Sequence, residues 1–422
     1  MNLFGFDERI LALRDQAQAD VAPMFAQIER VAEHNAQKVL AAFQKHHVAE
    51  HMFAGTTGYG YDDTGRDTLE KIYADIFHTE DAVVRIQFVN GTHAITCALF
   101  GNLRPGDALC YVTGEPYDTI QSVIGIVGDE PGNMKQYGIE YRQVDMTPDG
   151  KPDEAAVAKA VSDKKVKIAM IQRSKGYSTR ESLSVAAIGS LCKCIHEANP
   201  DCIIMVDNCY GEFVEELEPT DVGADLVVGS LIKNPGGGLA PTGGYIAGRH
   251  DLVEAAAARL TVPGIGKECG STLGNNRLMY QGLFLAPHTV SQALKTAVFC
   301  ARMVELLGYE AEPSSTAERH DIIQMISFGE PESLKAFIRG IQFGSPVDSY
   351  VTPEPWDMPG YDVPVIMAAG AFIQGSSIEL SCDAPMREPF VAYMQGGLTY
   401  ESGKTGIMLA VSEILKYQDK QN

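Results

Sequence analysis

The chain of 422 residues has no run of 18 apolar residues, so no membrane-spanning helix is expected. It is poor in basic residues: 34 Lys and Arg stand against 55 Asp and Glu, a net charge of −21. With no basic excess to neutralise phosphates, nucleic acid and anionic membrane surfaces are excluded as main partners. The opening residues, Met1-Asn2-Leu3-Phe4-Gly5-Phe6-Asp7-Glu8-Arg9, lack the basic segment and apolar stretch of a secretory signal. Nine cysteines are scattered through apolar runs and predicted helices. That distribution fits reduced thiols and a cytoplasmic location better than a disulfide framework. No G-x-G-x-x-G follows a strand, and Gly403-Lys404-Thr405 lacks the earlier glycine of a phosphate loop, because that position is Leu398. Nucleotide-binding readings therefore have little support. No internal repeat is present.

What is present changes character along the chain. Residues 8–53 place Ile10, Leu13, Val21, Phe25, Ile28, Val31, Val39 and Phe43 at helical spacing, with Pro23 expected to open a second helix. His47-Val48-Ala49-Glu50-His51 matches a zinc-protease pattern and would put both histidines on one helical face. With no further ligand in view, it is read as a polar helix end, and no metal is expected. Residues 55–66, rich in glycine and aromatics, predict a loop. From 83 to 248, short apolar runs alternate with helical stretches: 83–88, 108–112, 141–144, 166–171, 202–206, 226–228 and 244–247. This predicts an α/β fold with a mainly parallel sheet, flanked by helices, whose ligands bind beyond the carboxyl ends of the strands. The remainder predicts a smaller α/β region with strands over 322–328 and 376–380. A helix over 332–339 should end at Gly340, and another should cover 399–415. Residues 346–362, with the only tryptophan, Trp356, predict a surface loop. The expected division is 1–66, 67–290 and 291–422.

The predicted strand ends carry chemistry. Gly91 and Thr92 open a helix, where backbone N–H groups and a hydroxyl can meet a phosphate. Tyr117 follows the second run. Asp207 ends the fifth, where a carboxylate is costly without a partner. A pyridinium N–H would supply one, and a helix cap is the alternative. Ser230 and Lys233 follow the sixth. A lysine there can lose hydration and be tuned toward the neutral, nucleophilic amine. Taken alone it is equally a surface lysine beside a turn.

Together, in this order, these residues resemble the fold type I enzymes of the aspartate-aminotransferase fold, which use pyridoxal phosphate (PLP). The resemblance is strongest to the cystathionine-lyase and methionine γ-lyase group. It narrows to the bacterial aluminium-resistance branch through residues 58–70, 206–211, 229–244, 263–276 and 395–400. It implies a Schiff-base role for Lys233 and a pairing of Asp207 with the pyridine nitrogen. It also implies stacking by Tyr117 and a phosphate site of Gly91, Thr92 and Ser230. In that group a Tyr-x-Arg loop from a neighbouring subunit reaches the phosphate. Here the matching stretch is Tyr59-Gly60-Tyr61, without the arginine, so Tyr61 would donate instead. Arg387 is the expected partner of the substrate α-carboxylate, with Arg173 and Ser174 further candidates near the cofactor. The implied activity is carbon–sulfur bond elimination on an amino acid by a homo-oligomer, built of dimers that share active sites and expected to be a tetramer. Replacement chemistry, transamination and a non-catalytic PLP-binding regulator are the alternatives.

Overall fold

A computed structural model describes residues 2–178, 180–358 and 363–421. The chain divides into two compact units, residues 35–284 and, separately, residues up to 34 together with those from 285 onward.

The unit of residues 35–284 contains a seven-stranded sheet. Its strands are β1 (Asp81–Arg85), β2 (Ala108–Tyr111), β3 (Glu140–Gln143), β4 (Val166–Gln172), β5 (Ile203–Asp207), β6 (Leu226–Ser230) and β7 (Gly244–Gly248), in the order β1-β7-β6-β5-β4-β2-β3. The pairs β3/β2, β2/β4, β4/β5 and β5/β6 are parallel, while β7 runs antiparallel to both β6 and β1. Each of the seven apolar runs is a strand, with its ends displaced by at most three residues. β5 and β6 read as unbroken apolar runs because helices cover both faces, leaving Ile204, Met205, Val206, Val227 and Val228 wholly buried. The helices are α1 (Glu8–Lys45, shared with the other unit), α2 (Thr64–Ile76), α3 (Gly91–Asn102), α4 (Asp118–Ile124), α5 (Glu154–Val161), α6 (Val185–Ala198), α7 (His250–Leu260) and the first part of α8 (Asn276–Glu305). This is the mainly parallel α/β architecture expected.

Two local expectations need correction here. Pro23 lies inside α1, which continues unbroken through it for 38 residues. A proline costs one backbone hydrogen bond and crowds the preceding turn, and the rest of a long, packed helix offsets that. His47 adopts a left-handed conformation (φ +50°) after the end of α1, and His51 lies in a short 3₁₀ turn. The two histidines therefore do not share a helical face.

The other unit carries an antiparallel sheet of β8 (Glu310–Glu312), β9 (Ile323–Ser327), β10 (Val365–Ala368), β11 (Ser381–Pro385) and β12 (Val391–Gln395), ordered β10-β11-β12-β9-β8. Helix α9 (Pro331–Phe343) packs on it, and α10 (Tyr400–Gln421) packs against α9. Residues 376–380 form no strand; the strand begins at Ser381. Nor does Gly340 end α9, which runs on to Phe343 with Gly344 as its cap. Gly340 has a packing role: a Cβ there would come within 2.3 Å of the Ala410 Cα on α10. Trp356 exchanges two backbone hydrogen bonds with Val365, at 3.1 and 3.0 Å. The last four residues of the predicted 346–362 loop lie outside the described residues. Among the described residues no helix is long and apolar enough to cross a membrane.

Candidate active site

Parallel strands deliver their carboxyl ends to one edge of the sheet, and here that edge gathers the polar residues. Asp207 is the last residue of β5, and Ser230 is the last of β6. Beyond Ser230 the chain turns through Lys233 into Asn234–Gly236. α3 begins at Gly91, capped by Asn90, whose side chain accepts from the His93 N–H at 2.8 Å. Its first turn abuts β6 so closely that a Cβ on Gly91 would lie 3.2 Å from the Ser230 Cβ and 3.5 Å from the Cys209 Sγ. Thr92 Oγ1 and Thr119 Oγ1 share a 2.8 Å hydrogen bond. A helix N-terminus, two hydroxyls and no side chain at Gly91 make a cradle for an anionic group.

Lys233 Nζ sits 3.9 Å from the centroid of the Tyr210 ring, a cation–π contact. Burial opposes its charge, but the acidic groups of Cys209, Tyr210, Asp207 and Tyr117 outweigh that, so Lys233 is held above its ordinary value. The expected tuning toward a neutral amine is therefore corrected for the protein alone: its neighbours favour the ammonium. Asp207 is pushed above the usual carboxylate range by burial, against the pull of Lys233. Its Oδ1 accepts from the Cys209 N–H at 3.1 Å. Burial and the Asp207 carboxyl likewise hold the Cys209 thiol well above its usual value, against the pull of Lys233. Tyr117 caps the N-terminus of α4, its backbone N–H donating to Gln172 Oε1 at 3.0 Å, and its ring lies 6.2 Å from that of Tyr177. The structure thus brings together Gly91, Thr92, Tyr117, Asp207, Ser230 and Lys233.

Arg173 and Ser174 follow β4, and both are buried. The Arg173 guanidinium donates to Asn208 Oδ1 at 2.8 Å and Glu215 Oε1 at 2.9 Å, with Glu218 Oε2 at 3.6 Å. Fully enclosed, with its Nε lacking a hydrogen-bond partner, it braces the turn after β5 beside Asp207, whose carbonyl accepts from the Arg173 N–H at 3.1 Å. The Ser174 carbonyl accepts from Gln172 Nε2 at 3.1 Å, so Ser174 belongs to the support of Tyr117. Arg387 lies in the other unit, exposed on the turn between β11 and β12.

The loop carrying Tyr59 and Tyr61 is tightly held although both tyrosines are exposed. Their rings stack at 5.6 Å. The loop is bound to residues 265–276 by Gly270 N–H to the Tyr59 carbonyl (2.9 Å) and Leu273 N–H to the Thr56 carbonyl (3.0 Å). Beneath it, Asp63 accepts from the hydroxyls of Thr56 (2.5 Å) and Thr272 (2.6 Å) and from Asn276 Nδ2 (3.2 Å). Arg66, itself buried, donates to the carbonyls of Gly60 and Gly270.

The turn after β5 holds residues that the sequence did not single out. Tyr210 and Phe213 adopt left-handed conformations (φ +73° and +62°) and fold residues 207–218 back on themselves. Gly211 is required there, because a Cβ would collide with the Arg173 side chain, 2.5 Å from its Cδ and 2.6 Å from its guanidinium. Glu218, wholly buried, accepts from the Phe213 N–H and from Asn208 Nδ2, and Asn35 donates to the carbonyls of Phe213 and Glu215. The available signal was the polar run Asp207-Asn208 leading into Glu212, within an otherwise apolar stretch.

Comparison with known proteins agrees with this geometry. The family model described as methionine gamma-lyase matches residues 10–415. The Bacillus subtilis protein YnbB is 54% identical over 404 residues, covering 96% of each chain. The crystal structure of a carbon-sulfur lyase involved in aluminum resistance from Clostridium novyi is 52% identical, covers 97% of this chain and 96% of that one, and superposes with a TM-score of 0.93. The PLP-dependent protein YhfS of Escherichia coli, only 16% identical, shares the fold over 92% of this chain and 97% of its own, with a TM-score of 0.62. The chain belongs to the methionine gamma-lyase family of PLP-dependent carbon–sulfur lyases.

Proposed function

We propose that the chain eliminates a thiol from the β- or γ-carbon of a sulfur-containing amino acid such as methionine or cystathionine, with PLP carried on Lys233. The observation that supports this most is the gathering of Lys233, Asp207 and Tyr117 beside the Gly91–Ser230 cradle at one sheet edge. The donor set fits the cofactor. Gly91, Thr92 and Ser230 suit its phosphate, Asp207 its ring nitrogen, and Lys233 its aldehyde. When bound, PLP serves as the electron sink that makes the substrate Cα proton acidic. Asp207 then holds a proton on the ring nitrogen, and burial strengthens that pairing. Lys233 Nζ, close above Tyr210, takes the Cα proton and can return it to the product. Tyr117 covers the ring face and keeps water from it. Ser174 acts behind Tyr117, and Arg387 is assigned to the substrate α-carboxylate. Tyr59 and Tyr61, displayed on their braced loop, are assigned to the phosphate of a neighbouring subunit in a dimer or tetramer. The nine unpaired thiols support a reducing, cytoplasmic setting.

The test is a substrate screen. Methionine, cystathionine, cysteine and homocysteine are incubated with the PLP-loaded protein, and ammonia, thiol and keto acid are measured. Release of all three from one of these amino acids is expected. Keto acid without thiol would replace lyase chemistry by transamination, and turnover only with an added thiol acceptor would replace it by γ-replacement.

A further inference from the structure

Glu212 lies on the turn behind Lys233 and is wholly buried. Its Oε1 accepts a hydrogen bond from the Tyr245 hydroxyl at 2.9 Å, whereas Oε2 has no hydrogen-bond partner among the described residues. The fold leaves room for this carboxyl, since a Cβ on Gly229 would come within 2.5 Å of Oε1. The Glu212 carbonyl accepts from Asn234 Nδ2 at 3.0 Å, and Asn234 is the residue after Lys233. Glu212 is thereby clamped to β7 through Tyr245 and to the Lys233 loop through Asn234. Its carboxyl is within electrostatic reach of Lys233 and Cys209. The other titratable groups facing it are Tyr245 from β7, Tyr73 from α2 and Glu218 from its own turn.

A buried carboxylate with one unpartnered oxygen is costly, and protonation relieves the cost. Burial accordingly raises Glu212 to about 8; Glu218 adds to the rise, and the Tyr245 bond and Lys233 oppose it. We propose that Glu212 is a positioning residue that gates the charge of Lys233: neutral, it lets the lysine part with its proton, and ionised, it holds the ammonium. The catalytic half of this rests on Lys233 being the cofactor-bearing lysine; the electrostatic half does not. Once Asp207 is engaged by a ring nitrogen, the carboxyls left on the turn are Glu212, Glu215, Glu216 and Glu218, of which Glu216 is exposed to solvent. Glu215 is committed to Arg173, and Glu218 to Asn208 and Phe213. Of these carboxyls, Glu212 is the one that keeps a buried oxygen without a hydrogen-bond partner among the described residues. Raising the pH sends its proton to solvent and leaves a negative charge beside Lys233, which then releases its own proton less readily.

Two readouts test this on the full-length protein. Infrared difference spectra assign the protonated-carboxyl stretch of Glu212 by its loss in Glu212→Gln. With or without PLP, that stretch should fade near pH 8, and Lys233→Met should move the fading about one unit higher, because a nearby positive charge is gone. In the PLP-loaded protein, the pH titration of the visible band should show an inflection near 8 that Glu212→Gln abolishes. Tyr245→Phe, which removes the bond favouring the ionised form, should move that inflection upward. A carboxyl midpoint indifferent to Lys233→Met, or a Glu212→Gln titration superimposable on the wild type, overturns the proposal. A wild type that never forms the band refutes the cofactor reading instead, and the infrared comparison still decides this one. If Glu212→Gln does not fold, the Lys233→Met and Tyr245→Phe arms carry the decision.

Discussion

The two units hold sheets of opposite kind. In residues 35–284 four neighbouring strand pairs are parallel, whereas every pair in the other unit is antiparallel. Parallel neighbours end at one edge, so the chain leaving β2, β4, β5 and β6 arrives at one place. Tyr117, Ser174, Asp207 and Lys233 converge for that reason. Antiparallel strands send successive turns to alternate edges, and Arg387 sits on one such turn. The difference teaches that the residues gathered at the candidate site follow strand direction, while close packing such as that of Gly340 against α10 shapes the antiparallel unit.

The contrast can be broken at its strongest point first. Lys233→Ala should lower activity by about 10⁴-fold and abolish borohydride trapping of PLP on the protein. A variant that still traps the cofactor at the same position of the chain would remove Lys233 from its role. Asp207→Asn should retain PLP yet lower kcat by about 10²–10³-fold, since the ring nitrogen loses its charged partner; an unchanged kcat would place Asp207 among structural residues. In the antiparallel unit, Gly340→Val should cost stability, about 1–3 kcal/mol from overpacking against α10, and lower the Tm. The visible cofactor band of the folded variant should be unaltered, and a lost band would blur the division drawn here. The smallest effect expected is at Asp63. Burial opposes its charge, but the Arg66 N–H, Thr272, Thr56 and Asn276 outweigh that and hold its carboxyl below the usual range. A depressed carboxyl contributes stability above its unfolded value, near pH 4, and loses it as the pH falls through the lower folded value. Asp63→Asn should therefore flatten the acid limb of the Tm-against-pH curve slightly; an identical limb would show that the clasp contributes nothing through charge.

The same contrast explains what could be read from residues alone. β4, β5 and β6 are legible because strands covered on both faces must be apolar throughout, and the residues that end those runs stand out as chemistry. β8 (Glu-Ala-Glu) and β11 (Ser-Cys-Asp-Ala-Pro) carry no such signature, and β11 was expected a few residues too early. Gly340 was read as a helix stop because a small residue that ends a helix and one that lets two helices touch are the same letter. In the candidate site, Lys233, Asp207 and Ser230 were singled out by their positions at strand ends. Tyr210 and Glu212 were not, because their placement depends on left-handed backbone at Tyr210 and Phe213, which no periodicity encodes. The partners of Arg173 could not be read for a related reason: Glu215 and Glu218 come from a turn that only the folded chain closes.

The clasp at Asp63 has a consequence for the order of folding. Thr272 and Asn276 reach it from more than 200 residues further along the chain. Two of the three side-chain bonds to Asp63 that brace the 55–63 loop are therefore absent until the chain near the start of α8 is in place. A partly folded chain does not display Tyr59 and Tyr61 in their stacked arrangement. Any subunit contact that reads this pair admits only finished subunits, a timing control built from three hydroxyl and amide bonds to one aspartate.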